Sequence, residues 1–176
     1  MAHYQFETLH PFGDGNGRLG RLVVVLQLLR SGTIQQPAIT LSPWFLRNRA
    51  EYQEQLLAVS CTGNWNPWIR FFCQAVSVQS ASLIAGAQRL LDWLSDSRRK
   101  LDERRWTGTI HKVLAGLIEW PVTTVSDTAA RHEVSQVNAA RMINHLVEVE
   151  ILTELTGKSY GRSFGARDVM EIVEQI

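Results

Sequence analysis

The chain has 176 residues, of which 45% are hydrophobic and 20% charged, and its 18 basic and 17 acidic side chains leave a formal charge of +1. This composition is too apolar for a disordered chain, and the charge balance gives no general attraction to nucleic acid. The longest apolar stretch, residues 22–29, is far shorter than the ~20 residues of a membrane span, so no membrane partner is expected. Two cysteines, Cys61 and Cys73, are too few for a disulfide framework, and we expect a cytoplasmic protein.

The first half of the chain predicts helices separated by clear breaks. Residues 2–9 are expected to be the last turns of a helix, and because Met1 runs directly into them we expect a chain cut from a longer protein. Residues 10–17 are rich in glycine and form a loop. The run 18–30 is apolar nearly all round, which predicts a buried helix, with a buried strand over LVVVL as the alternative.

Proline positions mark the next helix starts. A connector over residues 33–42 precedes Pro43, which is predicted to open a helix that ends before residue 63. Asn66 as N-cap with Pro67 at the first helical position starts a long helix through Leu94. Residues 95–105 are the most charged part of the chain and form a solvated helix end or a linker. A domain boundary is therefore predicted near Trp106.

The pattern after this boundary predicts a second, smaller domain over residues 107–176. A helix over 109–119 and a short β segment over 121–125 come first, followed by a helix over 126–133 capped by Ser126. Ser135 caps the next helix, which continues to Glu148. Strands over 151–155 and 159–164 make a β-hairpin, and a final helix starts near Ala166. This order is typical of a winged-helix domain.

The segment HPFGDGNGRLGR, residues 10–21, has the residue types of a phosphate site. Gly13, Gly15 and Gly17 expose backbone N–H groups just before a helix N-terminus, which favours anions. Arg18 and Arg21 add guanidinium groups that can each grip a phosphate with two hydrogen bonds.

The same segment supplies a metal ligand and a base. Asp14 is a hard oxygen ligand that suits Mg²⁺ held against phosphates. His10 has the imidazole side chain that most often serves as a general base, and it can take a proton from a hydroxyl nucleophile. Together these residues predict a phosphoryl or nucleotidyl transfer site, whereas the alternative without chemistry is a glycine-rich turn with exposed arginines.

Three other motifs fit this segment less well. GNGRLG matches the dinucleotide-binding pattern literally, but no strand precedes it and no acidic residue follows Asp14 until Glu51. A P-loop would need Gly-Lys-Ser/Thr, which does not follow. An EF-hand would need a ligand at Arg18 and a closing Glu where Val25 stands.

The segment HPFGDGNGRLGR resembles the signature of Fic-domain proteins at every fixed position. The preceding AHYQFETL and the downstream NRAEYQEQLL and GNWNPWIRFF resemble the segments that flank it in that family. The resemblance implies a mainly α fold, with a Fic-type helical core over residues 1–106 and a winged-helix-like tail with a β-hairpin over 107–176.

The resemblance implies protein adenylylation, in which AMP passes from ATP to a Ser, Thr or Tyr hydroxyl of a target protein. In that reaction His10 would be the general base and Asp14 would bind Mg²⁺. The residues that the resemblance assigns to the nucleotide and its phosphates are Gly13, Gly15, Asn16, Gly17, Arg18, Arg21 and Tyr52. For Tyr52, the alternative is a packed aromatic residue on the apolar face of its helix.

Two features of the family are missing from the sequence. No residues precede the core to build the β-hairpin flap that holds the target segment, and no Glu is followed by Gly or Asn, as in the family's inhibitory helix. The rival hypothesis is a regulatory module that binds DNA or protein, with an inactive or de-AMPylating Fic site. Its candidate DNA contacts are Arg131, Arg141, His145, Lys158, Arg162 and Arg167. Nearby glutamates nearly balance them, so protein docking is favoured over DNA, and a homodimer stays open.

Overall fold

The computed structural model describes residues 1–158 and 160–176. Helices make up 67% of the structure and a small antiparallel sheet of three strands completes it, which confirms the predicted mainly α class. The chain divides into two compact units, Met1–Leu83 and Ile84–Ile176. Within the described ranges, no helix combines the length and apolarity needed to cross a membrane.

The first unit is entirely helical in its regular elements. They are α1 (Ala2–Leu9), α2 (Asn16–Arg30), α3 (Ser42–Arg47), α4 (Arg49–Thr62) and the first part of α5 (Asn66–Glu103). The helix predicted over residues 18–30 is confirmed and begins at Asn16. The prediction of a single helix starting at Pro43 is wrong, because Asn48 has non-helical backbone angles, φ −110° and ψ 35°, and separates α3 from α4.

An aromatic cluster forms the core of the first unit. Phe45, Trp68 and Phe71 are each at most 5% exposed, and the Phe45 and Phe71 rings stack 5.9 Å apart. Burying each such ring removes a large apolar area from water and stabilises the packing of α3 against α5. Asn66 was expected to cap α5 but is its first residue, and Asn64 Oδ1 accepts its backbone N–H at 3.1 Å.

The second unit combines four shorter helices with the sheet. Its elements after α5 are α6 (Thr109–Gly116), β1 (Val122–Thr124), α7 (Val125–Arg131), α8 (Gln136–Glu148), β2 (Thr153–Glu154), β3 (Ser163–Gly165) and α9 (Arg167–Glu174). The antiparallel sheet has the order β1-β3-β2. The predicted hairpin is therefore present with shorter strands, and Ser159, expected in its second strand, lies outside the described residues. The winged-helix assignment of this unit stays a prediction.

Two details of the second unit differ from the sequence predictions. The cap of α7 is Thr124, whose side chain accepts the Asp127 N–H at 3.1 Å, and not Ser126. The charged segment 95–105 is mostly helical and not fully solvated, because Leu101 is 0% and Ser97 3% exposed. The expected cap of α8 is confirmed, since Ser135 Oγ accepts the Asn138 N–H at 3.3 Å.

The predicted domain boundary near Trp106 stays a prediction, because it marks where a family core would end. The compact units divide elsewhere, within α5 between Leu83 and Ile84. Leu101 and the side chains of Trp93 and Leu94 pack with the core of the second unit, so the last part of α5 is an integral part of that unit.

Candidate functional site

The glycine-rich loop leads from the end of α1 to the start of α2. His10 ends α1 in the left-handed conformation, with φ 45° and ψ 56°, and its N–H donates to the Phe6 carbonyl at 3.1 Å. A left-handed residue at this position terminates a helix and redirects the chain. The His10 side chain is exposed and therefore accessible to an incoming hydroxyl group.

The loop is held by the side chain of Asn16, which is only 2% exposed. Asn16 Oδ1 accepts the Phe12 N–H at 3.0 Å, and Asn16 Nδ2 donates to the Phe12 carbonyl. We call this pair of bonds the Asn16–Phe12 clamp. Asn16 was predicted to contact phosphate, which stays a prediction, and the clamp adds a loop-shaping role that sequence reasoning did not identify.

Asp14 and Arg18 form a loose pair at the surface of the loop. Asp14 Oδ2 lies 3.5 Å from Arg18 Nη2, with the two side chains 95% and 75% exposed. Asp14 Oδ1 accepts the Gly15 N–H at 2.6 Å. Such an exposed pair contributes little stability, so a phosphate can replace the carboxylate at Arg18 at small cost.

Arg21 is fixed more firmly than Arg18. Its Nε donates a hydrogen bond of 2.9 Å to the hydroxyl oxygen of Ser42, which is the first residue of α3. The Arg21 side chain is half-buried. A Cβ on Gly17 would lie 3.2 Å from Arg21 Nη1, so glycine leaves the room that this guanidinium occupies. Ser42 is a site residue that sequence reasoning missed, and no local signal in the sequence indicates it.

The first turn of α2 has unsatisfied donors. The helix begins after Gly15, which has φ 82°, and no side chain caps it among the residues described. The first N–H groups of a helix have no partner within it and favour anions together with the helix dipole. The exposed His10 imidazole, the Arg18 and Arg21 guanidinium groups and these N–H groups are thus all carried by residues 10–21.

A buried polar cluster lies where α1 packs against α2. His3, 4% exposed, has Nδ1 2.8 Å from the Gly20 carbonyl oxygen and Nε2 2.9 Å from the Tyr52 hydroxyl. Since a carbonyl only accepts, Nδ1 donates and Nε2 accepts from Tyr52. Glu7 Oε1 is buried nearby without a hydrogen-bond partner in the described structure. His3, Glu7 and Gly20 are further residues that sequence reasoning missed.

Burial governs the titration of this cluster. It lowers the pKa of His3 below its ordinary value, an effect that the hydrogen bond to Gly20 only partly offsets. Burial also raises the pKa of Tyr52, so both groups are neutral at pH 7. The Tyr52 ring lies 5.0 Å from that of Phe45, within the aromatic cluster. This placement matches the packed alternative, and an adenine contact by Tyr52 stays a prediction.

Several candidate DNA contacts in the second unit are engaged with neighbours. The Arg131 guanidinium lies 4.8 Å above the Trp120 ring, and Arg162 Nη1 lies 3.5 Å from Glu154 Oε2. The His145 ring stacks on Trp106 at 4.0 Å. DNA binding by this unit therefore gains no specific support from these side chains.

Comparison with known proteins finds a family resemblance in the N-terminal segment. Residues 1–28 match the family model described as Fic/DOC family, which covers α1, the loop and most of α2. The N-terminal part of this chain is therefore similar to the Fic/DOC family. We therefore refer to residues 10–21 as the Fic loop.

Three relatives match this chain over 71 residues each, which is 40% of its length. Over the 71 matched residues, this chain is 39% identical to proteins named "Protein adenylyltransferase fic-1" from Caenorhabditis briggsae and Caenorhabditis elegans. The corresponding identity to "Protein adenylyltransferase Fic" from Aedes aegypti is 37%. In each case the match covers 13% of the relative's length.

Proposed function

We propose that this chain carries the nucleotide-transfer site of a protein adenylyltransferase. The observation that supports this most is the Fic loop, in which an exposed histidine precedes an uncapped helix N-terminus with two guanidinium groups at its first turns. A nucleoside triphosphate is the ligand that such a set of donors suits. The names of the relatives agree with this activity.

The proposed reaction transfers AMP from ATP to a hydroxyl group of a target protein. His10 accepts the hydroxyl proton while the hydroxyl oxygen attacks the α-phosphorus. The bond between that phosphorus and the oxygen bridging to the β-phosphate breaks, and pyrophosphate leaves. Arg18, Arg21 and the first N–H groups of α2 stabilise the charge that develops on the phosphate oxygens.

The loop suits an Mg²⁺ ion that is bound jointly by the protein and by the phosphates of the nucleotide, and does not suit a metal ion that is bound by protein side chains alone. No group of three ligating side chains occurs in the part of the chain that the structure describes. Asp14 offers one exposed carboxylate, and Mg²⁺ is commonly bound by one or two carboxylates plus substrate phosphates. Asp14 would hold the ion, which would neutralise phosphate charge when bound.

The test uses the whole chain with ATP labelled at the α-phosphate, Mg²⁺ and a cell lysate. We expect an AMP adduct, detected by label and intact mass, on the chain or on a lysate protein. His10→Ala should abolish the adduct and still bind ATP, whereas the control His132→Ala, in the second unit, should preserve both.

Two results would refute the proposal. One is an equal yield of adduct from His10→Ala, because the base would then lie elsewhere. The other is ATP binding that Arg21→Ala leaves unchanged, because the nucleotide would then not be held by the Fic loop. Circular dichroism of each variant establishes that it is folded.

A further inference from the structure

A cavity of about 420 Å³ lies in the second unit, between the turn that follows α5 and the outer face of α8. Ile110 and Met142, 3% and 7% exposed, give it an apolar floor. Arg105, Asn138 and Arg141 contribute polar side chains to its opening. The lining thus combines polar and apolar side chains in similar measure, and a cavity of this volume in which polar groups converge beside apolar surface can hold a small molecule.

The cavity is positively charged. The side chains of Arg105 and Arg141 have no hydrogen-bond or ion-pair partner among residues 1–158 and 160–176, and no acidic side chain of those residues lines the cavity. Glu148 Oε1 is paired with Arg104 Nη1 at 2.6 Å, and Asp102, whose Oδ1 lies 3.4 Å from His111 Nε2, does not line the cavity. Both lining guanidinium groups are therefore available to an anion.

One side of the cavity is fixed by ring stacking. The Trp106 and His145 rings are parallel within 3° at a centroid distance of 4.0 Å, and the Arg104 guanidinium lies 5.7 Å from the Trp106 ring. Arg105 has a left-handed φ of 58°, and its N–H donates to the Asp102 carbonyl at 2.9 Å. This turn places Arg105 and Trp106 side by side at the cavity before any ligand arrives.

We propose that this cavity binds a small organic anion, one that carries a phosphate or carboxylate group on an apolar body. The guanidinium groups of Arg105 and Arg141 can each donate two parallel hydrogen bonds to a phosphate or carboxylate group. The buried side chains of Ile110 and Met142 would remove the apolar part of the ligand from water. The site belongs to the second unit and uses no residue of the Fic loop, so it stands independently of the proposed adenylylation.

Phenyl phosphate is a suitable probe, since it joins an anionic group to an apolar ring. The whole chain, labelled with ¹⁵N, is titrated while the indole N–H signal of Trp106, assigned through Trp106→Phe, is followed by NMR. We expect a saturable shift at lower concentration than for inorganic phosphate or phenol, each of which lacks one half of the probe.

The variant Arg141→Gln should weaken phenyl phosphate binding about tenfold, because it removes a charge-assisted hydrogen bond. Arg105→Gln should act in the same direction. The matched control is Arg98→Gln, an exposed arginine of α5 outside the cavity, which should change the dissociation constant less than about twofold. Arg21→Ala should leave the titration unchanged, which separates this site from the Fic loop.

Three results would overturn the proposal: no saturable Trp106 shift with phenyl phosphate, equal weakening by Arg98→Gln and Arg141→Gln, or displacement of the probe by a DNA duplex with a steep salt dependence. The last result would assign the arginines to nucleic acid. The dispersion of the remaining indole signals shows whether each variant is folded.

Discussion

The side chain of Asn16 satisfies both backbone polar groups of Phe12, four residues earlier in the chain. This clamp shapes the loop that carries His10 and Asp14, and the Asn16 side chain is buried while the side chains of His10 and Asp14 are exposed. The shape of the Fic loop therefore depends on one buried amide, and the chemistry depends on groups that the amide holds in place.

We expect Asn16→Ala to destabilise the first unit by about 1–3 kcal/mol, since it leaves the Phe12 N–H and carbonyl without their partner. ATP affinity should fall with it, because the loop is no longer held. Urea unfolding and ATP titration measure the two effects. Asn144→Ala, an exposed asparagine of α8, is the control and should change neither quantity.

Gly20→Ala should weaken the packing of α1 on α2. A Cβ at Gly20 would collide with Glu7 Oε1 and lie 3.2 Å from His3 Cε1. Overpacking of this kind costs about 1–3 kcal/mol. Gly13→Ala is the matched control, because a Cβ there meets nothing within 4 Å.

A double substitution separates steric collision from backbone strain at Gly20. Glu7→Ala removes the atom that the new Cβ would strike, so Glu7→Ala/Gly20→Ala should recover part of the stability lost in Gly20→Ala. A strictly additive result in urea unfolding would contradict the collision, since only residues in contact show a coupling energy.

Burial lowers the pKa of His3 below about 6.5, the ordinary value for histidine. The first unit should therefore lose stability as the pH falls below about 6.5. The unfolded chain then binds a proton that folded His3 does not, and stability falls until the lowered pKa is reached. Protonation would also remove the acceptor that Nε2 offers to Tyr52. Above this range the His3 contribution is constant.

Urea unfolding between pH 5 and 8, followed by NMR signals of the first unit, measures this dependence. His3→Gln should flatten the curve, since glutamine does not titrate there. Partial burial also lowers the pKa of His132, so His132→Gln, in the second unit, serves as the control and should leave the first unit's curve unchanged. An unaltered slope in His3→Gln would contradict the assignment.

Thr124→Ala should destabilise the second unit by about 1 kcal/mol, since its side chain is the N-cap of α7. Ser126→Ala should change the free energy of unfolding by less than about 0.5 kcal/mol, because Ser126 is exposed and inside the helix. The two variants compared in thermal denaturation distinguish the two caps. A larger loss from Ser126→Ala would restore the original prediction.

The sequence by itself determined the Fic loop and the order of most elements. The loop is a contiguous motif whose glycines, arginines and histidine act through the local backbone, so their positions in the chain suffice to predict it. Helices α2 and α8 are predicted by the spacing of their apolar residues, and the cap at Ser135 is predicted because serine stands at a helix boundary.

The tertiary structure decided what depends on contacts between distant residues. The Tyr52 hydroxyl reaches His3, 49 positions away, and Arg21 reaches Ser42 across 21 positions. Leu101 is buried within a charged segment because one side of α5 packs into the core of the second unit. No local pattern encodes these contacts, since burial and hydrogen bonding between separate elements are set by how the helices pack, and this packing also forms the cavity beside Trp106.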